Sequence, residues 1–212
     1  MNHDFPKIIE IKPVDQYFSL SWRITLRCNY DCMYCSYDWH DTTSKHKSLD
    51  ELKNAWISIF EKTKHKNLKY KISLTGGEPT NNKNLLPFLT WLRQNYNEHL
   101  FQILLTSNGS GTYSYYLKLF QVIDNISFST HSEFFKEKKF FDMICALQKT
   151  ISKDKFLFVN LMDEYWNQER LPIYKKILET NGINYAVNQI NYKHKIREYP
   201  VFKGKLDLDT TN

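Results

Sequence analysis

The chain has no apolar run approaching the roughly 20 residues that a membrane span needs. Its opening residues, Met1 to Pro6, are polar and carry Asp4, so no secretory signal is read there. It has no internal repeat and no low-complexity linker, and nothing divides residues 1–212 into two domains. Cysteine is scarce: 4 in 212 residues, too few for a disulfide framework in a chain of this size. The lysines at 62–71, 136–139 and 193–195 are dispersed and lack a nucleic-acid-binding motif, which disfavours nucleic acid as a partner. Global disorder is excluded by 42% hydrophobic and 16% aromatic content.

What is present is concentrated. Three of the four cysteines fall in Cys28-Asn-Tyr-Asp-Cys32-Met-Tyr-Cys35, with C-x3-C-x2-C spacing. The other, Cys145, lies beside Ile144 in a helical pattern and reads as a small buried hydrophobe. Structural zinc would want four ligands in two short pairs. His40 and His46 follow the cysteines closely and could complete such a site on paper. Alternatively, three thiolates hold three corners of a cubane iron–sulfur cluster and leave the fourth iron open. An open coordination position belongs to a metal site built for chemistry.

A second motif discriminates between these readings. Thr75-Gly76-Gly77-Glu78-Pro79 closes a β-rich run about 40 residues after the last cysteine. Two glycines there permit close backbone approach to a ligand and unusual dihedrals. With the cysteine spacing and the aromatic Tyr34 before Cys35, this run resembles the signature of the radical S-adenosylmethionine (SAM) enzymes. The resemblance extends through the order of strands and helices to about residue 190.

The resemblance implies one [4Fe–4S] cluster on Cys28, Cys32 and Cys35, with SAM chelating the open iron. An electron from the cluster would cleave SAM to methionine and a 5′-deoxyadenosyl radical. Tyr34 is implied near the adenine, and Gly76, Gly77 and Glu78 at the methionyl amino group. Ser107 or Asn108, at the third strand end, and Ser129, at the fourth, are implied SAM contacts. The fifth strand carries Val159-Asn160-Leu161-Met162 with no glycine, so only apolar packing against adenine is expected there. His131 and Lys71 are candidates for reaching substrate or serving as a later base, and Arg23 and Lys71 for anchoring an anionic substrate group.

Periodicity supports the same architecture. Strands are predicted at 21–26, 70–75, 101–106, 125–130, 156–162 and 184–189, with helices between them. Ser48 with Glu51 forms a capping box before Leu49, Leu52, Trp56 and Ile59. Alternation implies parallel pairing through right-handed crossovers. Six units are too few for a closed eight-stranded barrel, so the expectation is an open (β/α)6 partial TIM barrel, core about 18–190 and tail 191–212. Lys71, Ser73 and Thr75 share one strand face, as do Gln102 and Thr106, and Ser127, Ser129 and His131. Such polar inward positions suit a cavity holding a polar ligand.

The expected activity is hydrogen abstraction from a small molecule or peptide. Alternatives are radical activation of a partner protein, a deazaguanine-type synthase, or a regulatory protein that keeps the fold. No cysteine follows residue 190, so auxiliary clusters are not expected. A formal charge of +6 reads as solvated faces, or as a docking surface for an acidic flavodoxin or ferredoxin donor. Oxygen-sensitive thiolates and the lack of an export signal point to the cytoplasm.

Overall fold

The computed structural model describes residues 17–35, 41–164 and 166–190. His40, the lysines at 193–195 and the 191–212 tail fall outside the described residues.

Six strands form one sheet in sequence order: β1 (Tyr17–Thr25), β2 (Lys69–Gly76), β3 (Leu100–Ser107), β4 (Asn125–Ser129), β5 (Phe156–Asp163) and β6 (Asn184–Gln189). Every neighbouring pair is parallel, and β1 does not pair with β6, so the sheet stays open. Five helices make the crossovers: α1 (Leu49–Thr63), α2 (Leu85–Tyr96), α3 (Tyr113–Phe120), α4 (Glu137–Thr150) and α5 (Leu171–Thr180). The expected partial barrel is therefore the fold.

Local chemistry explains the boundaries. The Ser48 hydroxyl accepts the Glu51 N–H at 3.2 Å, and the Glu51 carboxylate accepts the Ser48 N–H at 2.8 Å. This reciprocal pair satisfies two amide donors that would otherwise lack partners at the start of α1. At the end of α5, Gly182 takes a left-handed conformation (φ +64°), and Ile183 N–H closes on the Leu178 carbonyl at 2.9 Å.

The two faces of the sheet divide by chemistry. Ile72, Leu74, Ile103, Leu105, Ile126 and Phe128 are buried under the helices, with Val159 and Leu161 beside them. The alternate residues of β2, β3 and β4 face the open side, as the strand period of two demands. There Thr106 stands in register with Ser127, and Ser127 with Phe158. Val159 and Leu161 are thus committed to the core, which leaves Asn160 and Met162 of that stretch on the open face.

Trp56 anchors the helix layer. It is fully buried between Tyr70 and Tyr96, edge-on to both, yet its indole N–H has no partner among the described residues. Trp56→Ala is expected to cost about 3–5 kcal/mol, as large aromatic deletions from cores do. Trp56→Phe should cost about 1 kcal/mol or less, because the lost volume is offset by removing an unpaired buried donor. Denaturant midpoints of the two variants check this.

Candidate active site: a cysteine-lined cavity at the strand ends

All chemistry-bearing motifs gather at the C-terminal ends of the strands. Beyond β1, the chain enters the cysteine loop, whose two ends are tied together. Cys28 N–H donates to the Asp41 carbonyl at 2.7 Å, and Asp41 N–H to the Leu26 carbonyl at 2.8 Å. Cys35 N–H closes a turn on the Cys32 carbonyl at 3.0 Å. Tyr30 N–H donates to Cys28 Sγ at 3.3 Å.

The end of β2 is bound to this loop through main chain. Gly77 N–H donates to the Thr25 carbonyl and Glu78 N–H to the Arg27 carbonyl, both at 2.9 Å. A Cβ on Gly76 would lie 2.1 Å from the Thr25 carbonyl oxygen, and one on Gly77 would lie 2.4 Å from that of Leu26. The glycines are thus required by the approach of the cysteine loop, a reason that the motif alone does not disclose.

Glu78 is 1% exposed and fully engaged. It accepts the Thr80 N–H at 3.0 Å, the Thr80 hydroxyl at 2.6 Å, the Ser107 hydroxyl at 2.9 Å and the Asn108 N–H at 2.6 Å. Burial raises its pKa, while these donors oppose that rise. Glu78 is therefore a tie between the ends of β2 and β3 as well as part of the cavity wall. The Ser107 hydroxyl is spent the same way, since it also meets Tyr116 Oη at 2.8 Å. Asn108 reaches the cysteine loop, donating to Asn29 Oδ1 at 2.9 Å and lying 3.9 Å from Cys28 Sγ.

These elements enclose a cavity of about 290 Å³. Cys28, Cys32 and Cys35 line it together with Tyr34, Gly76, Gly77, Glu78, Ser107, Asn108, Ser129 and His131, so ten of the sequence-derived candidates besides Glu78 share one space. Lys71 does not join them. It sits near the start of β2, four residues and about 13 Å before Thr75, with its ammonium 3.3 Å from Tyr17 Oη and 5.0 Å from the centre of that ring. The alternation that put it on the cavity face was right, but its height along the strand removes it from the chemistry. Arg23 is exposed on the same face.

Among the described residues, no three His, Cys, Asp or Glu side chains are gathered closely enough to hold one metal. The three thiols nevertheless line one cavity, and a cubane binds each on a separate iron. Burial pushes the Cys28 thiol up to about 11 and raises that of Cys32 as well, so binding must displace protons.

Sequence reasoning missed Glu164, the residue after β5. It is fully buried and accepts the Ser132 N–H at 3.1 and 3.2 Å through its two oxygens. Burial lifts its carboxyl to about 7, against hydrogen bonds from Ser132 and Tyr34. Its only signal in the sequence was a carboxylate at a strand end. Because the folded pKa lies above the unfolded one, the folded state binds more protons between about pH 4.5 and 7, and stability falls as pH rises through that window. The loss should reach about 3 kcal/mol, and Glu164→Gln should flatten it. Urea unfolding of both proteins at pH 5 and pH 8 measures this.

A half-open parallel barrel carrying three cysteines on the loop after its first strand defines the radical SAM fold. Comparison with known proteins agrees, although no family model matches the chain. GTP 3′,8-cyclase from Pasteurella multocida (strain Pm70) is 34% identical over 94 residues, which cover 44% of this chain and 27% of the relative. The chain thus spans about a quarter of the length of that curated relative. Streptococcus suis SuiB, solved with its precursor peptide SuiA, superposes with a TM-score of 0.64 at 15% identity, over 86% of this chain and 42% of SuiB. BtrN, solved with AdoMet and 2-DOIA, gives 0.52 at 17% identity, over 82% of this chain and 70% of BtrN. By fold the chain is like these two structures, and part of its sequence is similar to that cyclase. No helix among the described residues is long and apolar enough to cross a membrane.

Proposed function

We propose that this chain holds one [4Fe–4S] cluster on Cys28, Cys32 and Cys35, cleaves SAM reductively, and abstracts hydrogen from a peptide or small-molecule substrate. The observation that carries this reading is that the three thiols and the Gly76–Glu78 turn line the same cavity. When bound, the cluster supplies a low-potential electron and an open iron for SAM.

The chain's own residues bind, orient and exclude water. The Gly76–Glu78 turn lines the cavity beside the thiols and suits the methionyl end of SAM. Glu78 holds that turn against β3 and fixes the Asn108 main chain. Ser129, at the end of β4, faces the cavity and suits the ribose or carboxylate. Tyr34 and Tyr30 supply aromatic walls. Substrate would enter over the open strand ends, where a reactive C–H bond must be held against the ribose carbon and shielded from water.

A peptide substrate is favoured by the likeness to SuiB, whose structure contains a precursor peptide. An acidic flavodoxin or ferredoxin suits the net charge of +6 as electron donor. Anaerobic reconstitution tests the cofactor assignment: about four iron and four sulfide per chain should load with cubane spectra. Tight tetrahedral zinc with no iron uptake would contradict it.

A further inference from the structure

We propose that Glu164, Tyr34 and His131 form a hydrogen-bonded chain that aims an imidazole N–H at the Cys32 sulfur, making His131 a positioning residue for the cluster. This rests on the cluster assignment above. His131 Nδ1 lies 3.5 Å from Cys32 Sγ and also meets the Tyr34 hydroxyl. The same hydroxyl hydrogen-bonds the buried Glu164 carboxyl. Three separate strand ends therefore converge: the cysteine loop, the loop after β4 and the residue after β5.

The donor directions follow from proton accounting. A phenol ordinarily titrates at about 10, so Tyr34 carries its proton at neutral pH. When Glu164 is ionised it can only accept, so Tyr34 donates to it. The Tyr34 oxygen then accepts from His131, which places the imidazole proton on Nδ1. That N–H lies within reach of both the Tyr34 oxygen and the Cys32 sulfur, and the two share it. The ring itself is held by Tyr34, stacked with centroids 6.0 Å apart, and by Tyr30, edge-on at 6.0 Å. Glu164 is anchored in turn by Ser132, whose hydroxyl accepts the Trp166 indole N–H at 2.6 Å.

Partners that orient metal ligands tune the metal they hold. A hydrogen bond to a ligating sulfur stabilises the extra negative charge of the reduced cluster and so raises its potential. The arrangement assigns His131 to this role and not to the substrate base that its position in the sequence suggested.

The test is a potentiometric titration of the reconstituted full chain, followed by electron paramagnetic resonance of the reduced cluster. H131F should load iron and sulfide like the wild type but have a more negative midpoint potential, and should lose an exchangeable-proton coupling to the cluster. H131N, whose amide N–H stands close to the position of Nδ1, should restore both. Y34F leaves the imidazole N–H to the sulfur alone and should shift the potential the other way; this variant decides the matter if H131F does not fold. An unchanged potential in H131F or Y34F, or a failure of H131N to restore it, overturns the assignment. A wild-type protein that takes up no cluster instead overturns the proposed function on which it rests.

Discussion

Gly76→Ala is expected to unfold or nearly unfold the protein, at a cost of about 3 kcal/mol or more. The added methyl would stand 2.1 Å from the Thr25 carbonyl oxygen and 3.1 Å from the Thr25 carbonyl carbon. Both are backbone atoms of a paired strand, so neither can swing away as a side chain would. Gly76 also sits at φ +147°, a region that residues with a Cβ rarely adopt. Relief would require parting β1 from β2 where Thr25 pairs with Gly76, and breaking the 2.9 Å bond from Gly77 N–H to the Thr25 carbonyl. The damage should be specific to this junction. Any Gly76→Ala protein that does fold should also take up less of the proposed cluster, because the strained backbone is the one that leads into Cys28. Denaturant midpoints and iron content measured on the same preparation check both parts. A midpoint within about 1 kcal/mol of wild type would show that the junction yields.

Cys32→Ala is expected to abolish SAM cleavage while leaving the fold nearly intact. Cys32 is the one buried thiol of the three, 6% exposed, and its loss removes one corner of the proposed cluster. The structural loss is small by comparison. Exchanging the thiol for hydrogen deletes a single heavy atom at the cavity wall, a change of about 1 kcal/mol. Circular dichroism and denaturant midpoints should therefore match the wild type closely, while iron uptake falls and 5′-deoxyadenosine drops to the level of a no-enzyme blank. This contrast separates chemistry from folding, which Gly76→Ala cannot do.

The sequence exposed the strands well, for a physical reason. A sheet covered by helices on one face and open on the other alternates sharply, and Ile72 and Leu74 against Ser73 and Thr75 carry that pattern undiluted. The helices announced themselves through caps such as Ser48–Glu51. The cysteines and the Gly76–Glu78 turn stood out because the proposed metal binding and the close backbone approach at Gly76 tolerate few residue types. What stayed hidden were relations between strand ends. Alternation reveals which face Lys71 occupies, but its height along the barrel depends on register, so Lys71 was placed in the chemistry although it packs on Tyr17 at the opposite end. The bonds of Glu78 to Ser107 and Asn108 span about 30 positions of sequence, and no local pattern encodes them. Glu164 was invisible because a carboxylate after a strand is ordinary; only the fold brings it to Ser132 and Tyr34.

The central claim is that the cysteine-lined cavity cleaves SAM. The direct measurement is 5′-deoxyadenosine formed by the anaerobically reconstituted full chain with dithionite and SAM, quantified by chromatography and mass spectrometry. The account predicts steady formation of 5′-deoxyadenosine by the wild type, even without substrate, and none by Cys32→Ala. Normal loading of iron and sulfide with no 5′-deoxyadenosine from the wild type would contradict it.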